Sequence, residues 1–454
     1  MALTIVSFLL LLGALMFFHE LGHYLAARRN GIEVEEFGVF GFPPRLFKLF
    51  TYDGTLFSIN AIPLGAFVRM KGEDAGDMSP GSFNAASAGA RAFTLVAGPA
   101  MNFLIAIVFS VASMLSGFPS SVAHPQVTNP PASSAAASAG LQAGDILLSQ
   151  AGRPLLVMAT TGEPLAAASV KTLLDGSLPP DEGLLVLRDG ERIALPESSA
   201  SLASLLDGVE FAPVLNTQVS AVVEDSPAAA AGLLVGDVVY AVNGAPVTPG
   251  NSLGRQVSAL AGSEVLLTIV RGDEWLEVPV FARENPPAGQ GAMGIAIDGI
   301  SRMVSLPFHL AVWEGVLTIV GYVGMVVSLP VMLIAGQLAP SDAGFSGPVG
   351  IAQLVGGAVN ATVDTGFWFP IWQLAAIISA GLAVANLFPI PALDGGRLLF
   401  IAFEKLRGRR IDPEKEGMIH LVGFALLLGL MVVITVSDIR SGPQSIDWLR
   451  ILGQ

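Results

Sequence analysis

Residues 13–31 read GALMFFHELGHYLAARRNG and place two histidines and a glutamate inside an apolar run near the N-terminus. The run, from about residue 2 to 25, has close to the roughly 20 residues that a helix needs to cross the hydrocarbon of a bilayer. Ionisable side chains at that depth are costly, and they mark functional sites by default. His19, Glu20 and His23 therefore predict a chemical role for this helix.

The composition is that of an integral membrane protein. Of the 454 residues, 52% are hydrophobic and only 13% are charged, and the mean hydropathy is +0.65, above the range of soluble domains. Further apolar runs at about 93–117, 315–336, 368–389 and 419–437 bring the candidate spans to five. The net charge of −14, concentrated in the central region, disfavours nucleic-acid binding, which would require a basic stripe.

Basic residues set the predicted topology, because Lys and Arg near the ends of spans stay in the cytoplasm. They cluster between the first two runs and again after residue 389, as Arg28, Arg29, Arg45, Lys48, Arg69, Lys71 and Arg91, and as Arg397, Lys405, Arg407, Arg409, Arg410 and Lys415. We therefore expect about four transmembrane helices, with the region 120–300 outside the cytoplasm. By parity, the run 315–336 should lie at the interface or pack against the protein. The alternative is a fifth span with reversed topology.

The central region contains an internal repeat. AGLQAGDIL at 139–147 matches AGLLVGDVV at 231–239, and the copies are followed by the turns Ala151-Gly152 and Asn243-Gly244. An alanine-rich helix, a Gly-x-x-x-Gly-Asp turn and an apolar strand resemble the PDZ domain, a small β-sandwich that binds peptides by strand addition. The alternative is two unrelated turn and strand units.

Residues 56–73, LFSINAIPLGAFVRMKGE, predict a membrane-associated β-hairpin. Apolar and polar side chains alternate along its first half, which comprises Leu56, Phe57, Ser58, Ile59, Asn60 and Ala61. Pro63-Leu64-Gly65 supplies a turn, and Phe67-Val68 begin a return strand. Such an apolar hairpin must cover its exposed edge, so it packs within the protein or offers that edge to a partner.

The sequence His19-Glu20-Leu21-Gly22-His23 fits H-E-x-x-H. On a helix, residues four apart share a face, so the two imidazoles converge on one metal ion and the glutamate can reach a water molecule. A catalytic zinc site needs a third protein ligand and an open position. The extended motif with a third histidine fails, because Ala26 and Arg29 stand where it needs Gly and His.

The best candidate for the third ligand is Asp394, in NLFPIPALDGG at residues 386–396. It closes the run 368–389, so it should lie at the same cytoplasmic depth as the end of the first run. A carboxylate at the end of an apolar helix is expensive unless it is paired or bound to a metal. The prolines and glycines around it break the helix, which would let a backbone loop lie close to a bound chain.

Together with GPAMN at residues 98–102, these motifs resemble the site-2 protease family of zinc metalloproteases, specifically its bacterial members with two PDZ domains that regulate σE-type stress signalling (the RseP group). The resemblance implies Zn²⁺ as cofactor, His19, His23 and Asp394 as its ligands, and Glu20 as general base and acid. It also implies that Asn386 is a catalytic residue, which holds the substrate backbone near the metal and helps to stabilise the oxyanion. The segments it assigns to the bound substrate comprise Leu56, Phe57, Ser58, Ile59, Asn60, Ala61, Gly65, Phe67, Val68, Asn102 and Pro391.

The activity implied by the resemblance is intramembrane hydrolysis of single-span proteins such as anti-sigma factors, after a first cut outside the cytoplasm. Remnant signal peptides are a further substrate class. The protein would be a multi-pass protein of the bacterial inner membrane, with extracytoplasmic PDZ domains and the active site towards the cytoplasm. Two other functions stay open: a metal transporter, since buried His, Glu and Asp can line a path, and a catalytically inactive PDZ scaffold.

The predicted fold is thus a polytopic α-helical membrane protein with two PDZ-like, β-rich domains inserted between the second and third spans. Its N-terminal membrane half covers residues 1–118, and the PDZ-like domains cover 119–208 and 209–300. An apolar or amphipathic linker follows over 301–366, and the C-terminal membrane half covers 367–454.

Overall fold

The computed structural model describes residues 2–63, 65–73, 77–130, 134–150, 153–155, 157–158, 165–166, 184–188, 191–195, 205–215, 217–248, 250–272, 274–287, 290–299, 301–338, 346–408, 413–441, 446 and 448. The chain forms two compact units. A helical unit is built from Met1–Phe118 and Ser305–Arg450, and a β-rich unit from Pro119–Val304.

The described residues form ten helices: α1 (Ala2–Arg29), α2 (Ala88–Ser116), α3 (Ala135–Ser138), α4 (Pro227–Ala230), α5 (Leu253–Ala259), α6 (Phe308–Ile334), α7 (Pro348–Thr365), α8 (Phe369–Leu387), α9 (Asp394–Arg407) and α10 (Pro413–Ser441). By length and composition, α1, α2, α6, α8 and α10 are apolar enough to cross a membrane. The centre of the helical unit is α2, which packs against α1, α6 and α8. Small side chains permit the close approach, since Ala106 packs with Ile319 of α6 and with Ala376 and Ala380 of α8.

Helix α6 contains most of the run 315–336, whose placement the sequence left open. Its first half packs on the protein, where Ala311, Gly315 and Ile319 are buried, while Met325, Val331 and other large apolar side chains of its second half are exposed. The number of membrane crossings stays a prediction.

A four-stranded sheet lies between α1 and α2 in the sequence. It comprises β1 (Val34–Phe40), β2 (Phe42–Tyr52), β3 (Thr55–Ile62) and β4 (Phe67–Met70), in the order β2-β3-β1-β4. β3 pairs with β2 antiparallel and with β1 parallel, while β4 pairs with β1 antiparallel. The hairpin predicted over 56–70 is therefore wrong: its two strands exist, but β1 lies between them.

The hairpin of this sheet is formed by β2 and β3, which are joined at Asp53-Gly54. These two residues have φ angles of 48° and 82°, as the two central positions of a type I′ turn require, and Asp-Gly is a favoured sequence for that turn. The segment around Gly65 instead carries the chain past the end of β1, where the Gly41 N–H donates to the Gly65 carbonyl at 2.6 Å; Leu64 lies outside the described residues.

The β-rich unit contains two sheets. Its strands are β5 (Phe118–Asn129), β6 (Ile146–Gln150), β7 (Arg153–Pro154), β8 (Val157–Met158), β9 (Leu165–Ala166), β10 (Leu184–Arg188), β11 (Glu191–Ala194), β12 (Glu210–Leu215), β13 (Thr217–Val222), β14 (Val238–Val242), β15 (Ala245–Pro246), β16 (Glu264–Arg271), β17 (Glu274–Phe281), β18 (Ile295–Gly299) and β19 (Ser301–Val304). One sheet has the order β11-β10-β6-β5-β12-β9, and the other has the order β17-β16-β14-β13-β18.

The two copies of the sequence repeat make the same contacts. In the first copy, Asp145 accepts hydrogen bonds from the Gln142 N–H at 2.8 Å and from the Arg188 guanidinium at 2.7 Å. In the second copy, Asp237 accepts from the Leu234 N–H and the Arg271 guanidinium at 2.7 to 2.8 Å. Each buried ion pair fixes the Gly-Asp turn to a neighbouring strand.

The turns that follow the repeat copies are described in one case only. Asn243 and Gly244 have positive φ angles of 49° and 76° between β14 and β15, as a turn requires. Ala151-Gly152 lies outside the described residues.

Candidate functional site

Two helices bring the predicted metal ligands together. His19 and His23 lie one turn apart on α1, and Asp394 is the first residue of α9. The two Nε2 atoms are 3.1 Å apart, and Asp394 Oδ2 lies 3.3 Å from Nε2 of His19 and 3.4 Å from Nε2 of His23. Zinc–nitrogen bonds of about 2.0 to 2.1 Å in a tetrahedron separate ligand atoms by about 3.3 to 3.4 Å. The three atoms therefore fit one face of a zinc tetrahedron, and within the described residues they form the group suited to hold a metal.

The position of the His23 ring depends on a glycine. A Cβ placed on Gly98 of α2 would overlap Nε2 and Cε1 of the His23 ring and stand 2.8 Å from its Cδ2, closer than real carbon contacts. The same approach lets Nδ1 of His23 donate to the Thr94 carbonyl at 2.8 Å. One helix turn of α2 thus both packs against the imidazole and accepts a hydrogen bond from its Nδ1.

The loop between α8 and α9 places Asp394. Its backbone passes directly over Gly395 and Gly396, where a Cβ would meet the carbonyl groups of Leu387, Phe388 and Ile390. The two glycines after the aspartate are required because the loop folds back over the start of α9. This packing fixes the position of the Asp394 carboxylate relative to the two histidines of α1.

Helix α10 secures the same loop. The Ala392 N–H donates to Nδ1 of His420 at 2.8 Å, and Pro391 packs against Gly423, where a Cβ would stand 2.7 Å from the Pro391 carbonyl oxygen. His420 lies outside the predicted metal motifs, so the sequence predicts no role for it. Its sequence signal is a single polar residue at the start of the apolar run 419–437.

Glu20 lies beside the three ligands and is held by the sheet. Its Oε2 accepts a hydrogen bond from the Val68 N–H of β4 at 3.1 Å. Val68 is opposite Phe37 of β1, and among the described strands β4 has no neighbour on its other side. The free edge of the sheet therefore lies next to the candidate general base.

The other predicted substrate contacts occupy several environments. Residues 56–61 form most of β3, whose two sides are paired with β2 and β1, so their backbone offers no free edge. Ser58 and Asn60 are buried, and Ser58 donates to Glu36 Oε1 at 2.7 Å. Phe67 stacks on Phe42 with ring centres 6.2 Å apart.

Two polar residues from that set stand apart. Asn386, at the end of α8, is half-buried, and its side chain makes no hydrogen bond within the described part of the chain. Asn102 is buried on α2, with Nδ2 3.3 Å from Nδ1 of His19. Asn102 therefore contacts a candidate ligand directly.

Two ion pairs anchor α9, through arginines that in the sequence indicate only membrane topology. Nη2 of Arg91, on α2, donates to both carboxylate oxygens of Glu404 at 2.8 and 2.7 Å. Arg397, one turn after Asp394, pairs with Glu73, which follows β4. The helix that carries the third ligand is thus tied to both α2 and the sheet.

Comparison with known proteins agrees with this geometry. Residues 7–430 match the sequence profile of Peptidase family M50. The chain is 30% identical over 446 residues to the zinc metalloprotease RasP of Geobacillus kaustophilus, covering 96% of this chain and 98% of the relative. It is 29% identical to the regulator of sigma-E protease RseP of Escherichia coli and 28% identical to the regulator of sigma-W protease RasP of Bacillus subtilis, each covering 96% of this chain and 98% of the relative. The resemblance read from the motifs is confirmed, and the chain belongs to Peptidase family M50, the site-2 protease family.

Proposed function

We propose that this membrane-embedded metallopeptidase binds one zinc ion through His19, His23 and Asp394 and hydrolyses peptide bonds in transmembrane segments, with Glu20 as the general base and acid. The observation that carries the proposal is the convergence of the three ligand atoms within 3.1 to 3.4 Å, beside a glutamate on the same helix. The names of the relatives, which are zinc metalloproteases, support zinc as the metal.

The residues divide the chemistry between them. Bound zinc supplies a Lewis acid that polarises the scissile carbonyl and activates water near neutral pH. Glu20 takes a proton from the attacking water and returns it to the leaving amine, a role worth typically 10²- to 10⁴-fold. The Val68 N–H orients the Glu20 carboxylate. The mechanism requires that water reach the site, and we place its entry on the cytoplasmic side.

The substrate must be extended at the cut, because a helical peptide bond is shielded and hydrogen-bonded within its own helix. We assign the pairing edge to β4, where strand addition would replace the backbone hydrogen bonds lost on unwinding. Asn386, whose amide makes no hydrogen bond within the described residues, would hold the substrate backbone near the metal. Pro391 and Phe67 would contact its side chains.

The substrates we propose are single-span membrane proteins of the anti-sigma-factor kind, already cut outside the cytoplasm. The support comes from the names of two relatives, the regulator of sigma-E protease RseP and the regulator of sigma-W protease RasP. Remnant signal peptides form a second class. We place the protein in the bacterial inner membrane with about four spans, and we assign PDZ-like domains to 119–208 and 209–300, a linker to 301–366, and the membrane halves to 1–118 and 367–454.

Cleavage of a single-span reporter in proteoliposomes tests the proposal. We expect the zinc-loaded wild type to cut the reporter and Glu20→Gln to fail while keeping its zinc. Glu35→Gln, an exposed change on β1, is the matched control and should cut normally. Equal cleavage by Glu20→Gln and wild type would contradict the assigned base, and zinc transport into the vesicles without cleavage would favour the transporter.

A further inference from the structure

Asn102 has one amide end against a candidate ligand and the other without a hydrogen-bond partner among the described residues. The residue is 1% exposed, and its Nδ2 lies 3.3 Å from Nδ1 of His19. Its Oδ1 is buried and has no hydrogen-bond partner among the described residues. Leaving a buried acceptor unpaired costs about 1 to 3 kcal/mol, so this arrangement calls for an explanation.

The chemistry of His19 decides which amide end should face it. Nε2 of His19 is the atom that meets Asp394 and His23, so Nε2 must present its lone pair to a metal. A neutral imidazole with a free Nε2 carries its proton on Nδ1, which is then a donor. An amide NH₂ is also a donor, so Nδ2 opposite Nδ1 sets two donors against each other.

A half-turn of the amide removes this conflict. The oxygen and nitrogen ends of an asparagine amide are nearly indistinguishable in shape, so Oδ1 and Nδ2 can exchange places without repacking. Oδ1 then accepts the His19 Nδ1 proton. His23 provides the parallel, because its Nδ1 donates to the Thr94 carbonyl on the same helix at 2.8 Å.

We propose that Asn102 is a positioning residue of the metal site, whose Oδ1 accepts the Nδ1 proton of His19 and thereby fixes the tautomer that turns Nε2 towards the metal. The inference rests on the metal site of the proposed function, and it replaces the substrate contact predicted for Asn102. The backbone is set for this role, since Ser379 of α8 donates to the Asn102 carbonyl at 2.8 Å.

Two substitutions separate acceptor from donor. Asn102→Asp keeps acceptor oxygens and loses the NH₂, while Asn102→Leu removes both at similar size. Loss of an outer hydrogen bond to a ligating histidine typically weakens metal binding by about 10- to 100-fold. We expect that loss for Asn102→Leu, and zinc affinity within about threefold of wild type for Asn102→Asp.

Zinc affinity of the full-length protein, measured by competition with a chelator, is the readout. Equal loss in Asn102→Asp and Asn102→Leu, or no loss in either, would overturn the proposal. Ser110→Ala is the control. Ser110 is buried on α2 two turns after Asn102, and its hydroxyl has no partner among the described residues. The zinc affinity of this variant should match that of the wild type. If Asn102→Asp does not fold, ¹⁵N and ¹H NMR of histidine-labelled, zinc-loaded wild type and Asn102→Leu decides instead: the His19 Nδ1 proton should show the downfield shift of a hydrogen-bonded proton in wild type and lose it in Asn102→Leu, and equal shifts in the two proteins overturn the proposal.

Failure of this inference is distinct from failure of the proposed function. Binding of one zinc ion by wild type and its loss in His19→Ala test the metal site itself. The contrast between the two Asn102 variants, or the NMR signal of the His19 Nδ1 proton, tests the direction of the hydrogen bond and not the presence of the metal.

Discussion

Gly98→Ala adds one methyl group and should empty the metal site without mutating any of the proposed ligands. The new Cβ would stand 2.8 Å from Cδ2 of the His23 ring, whereas carbon atoms pack at about 3.5 to 4.0 Å. The ring or the helix must therefore move by about 1 Å. Metal–ligand distances are held within about 0.2 Å, so the displacement is several times larger than the site tolerates.

The ring has little freedom to escape this contact. Rotating it away would break the hydrogen bond from His23 Nδ1 to the Thr94 carbonyl. Moving α2 outwards would open the packing of Gly22 on the Ala97 backbone, where a Cβ on Gly22 would stand 2.8 Å from the Ala97 carbonyl carbon. We therefore expect zinc affinity to fall by about 100-fold or more. This is the upper end of the losses seen when a residue that contacts a metal ligand is mutated.

Zinc per chain, measured after dialysis of the purified protein against a chelator, is the assay for this prediction. Gly89→Ala is the matched control: it lies on the same helix, and a Cβ there meets nothing within 4 Å. It should keep its zinc. If Gly98→Ala retained one zinc per chain and cleaved the reporter, the close packing of His23 on α2 would not be what positions the ligand.

Three further outcomes are expected. Asp394→Ala should lose stoichiometric zinc, because two histidines alone cannot complete the face of the tetrahedron; retained zinc would remove Asp394 from the site. Arg91→Met should leave the Glu404 carboxylate without its partner and lower the free energy of unfolding by about 3 kcal/mol. The measurement is the thermal transition temperature, and an unchanged value would contradict the anchoring role. Asp237→Asn should cost about 2 kcal/mol, read as faster hydrogen exchange in the second repeat copy. Burial opposes ionisation, but the hydrogen bonds from Arg271 and the Leu234 N–H outweigh it and lower the pKa of Asp237, so its contribution is complete above the unfolded value of about 4 and is lost as pH falls further. The difference between wild type and Asp237→Asn should therefore shrink only in acid, and a difference that stays constant down to low pH would refute this.

The parts of the site that sequence could predict are those coded by short spacing. His19 and His23 share a helix face because four residues make about one turn, and Asp394 follows from its depth at the end of an apolar run. Sheet pairing is less local. VEEFGVF in β1 was not recognised as a strand, because its glutamates interrupt the apolar alternation, although Glu36 is buried against Ser58. The stronger hairpin signal, Asp53-Gly54, lay two residues before the segment that was read as a hairpin.

The contacts that hold the ligands in place were beyond reach for a different reason. Arg91 and Glu404 are 313 residues apart, and Arg397 and Glu73 are 324 apart. No spacing rule links residues at such separations. A charged residue near the end of a span also has a sufficient explanation in membrane topology, so nothing in the sequence marks it as a structural anchor. The partners of these charged residues are set by tertiary packing.

Ala392 tests whether the loop before Asp394 is under strain. Its φ angle is 81°, and the other non-glycine residues with positive φ in the described part of the chain are aspartates and an asparagine, types that tolerate it. A residue with a Cβ loses about 1 to 2 kcal/mol of stability in this left-handed conformation, and glycine does not. Glycine in turn lowers stability by about 0.4 to 1 kcal/mol, because it makes the unfolded chain more flexible.

Ala392→Gly should therefore stabilise the protein by about 0.5 to 1 kcal/mol, seen as a higher thermal transition of the zinc-loaded form. The hydrogen bond from residue 392 to His420 uses the backbone N–H, so it survives the change and zinc affinity should stay at the wild-type value. Ala392→Val is the opposing variant and should destabilise, because a β-branched residue tolerates positive φ worst. A less stable Ala392→Gly protein with weaker zinc binding would contradict this prediction. It would mean that the alanine side chain limits the motion of the loop. The packing of Pro391 on Gly423 would then hold residue 392 in the left-handed conformation without strain.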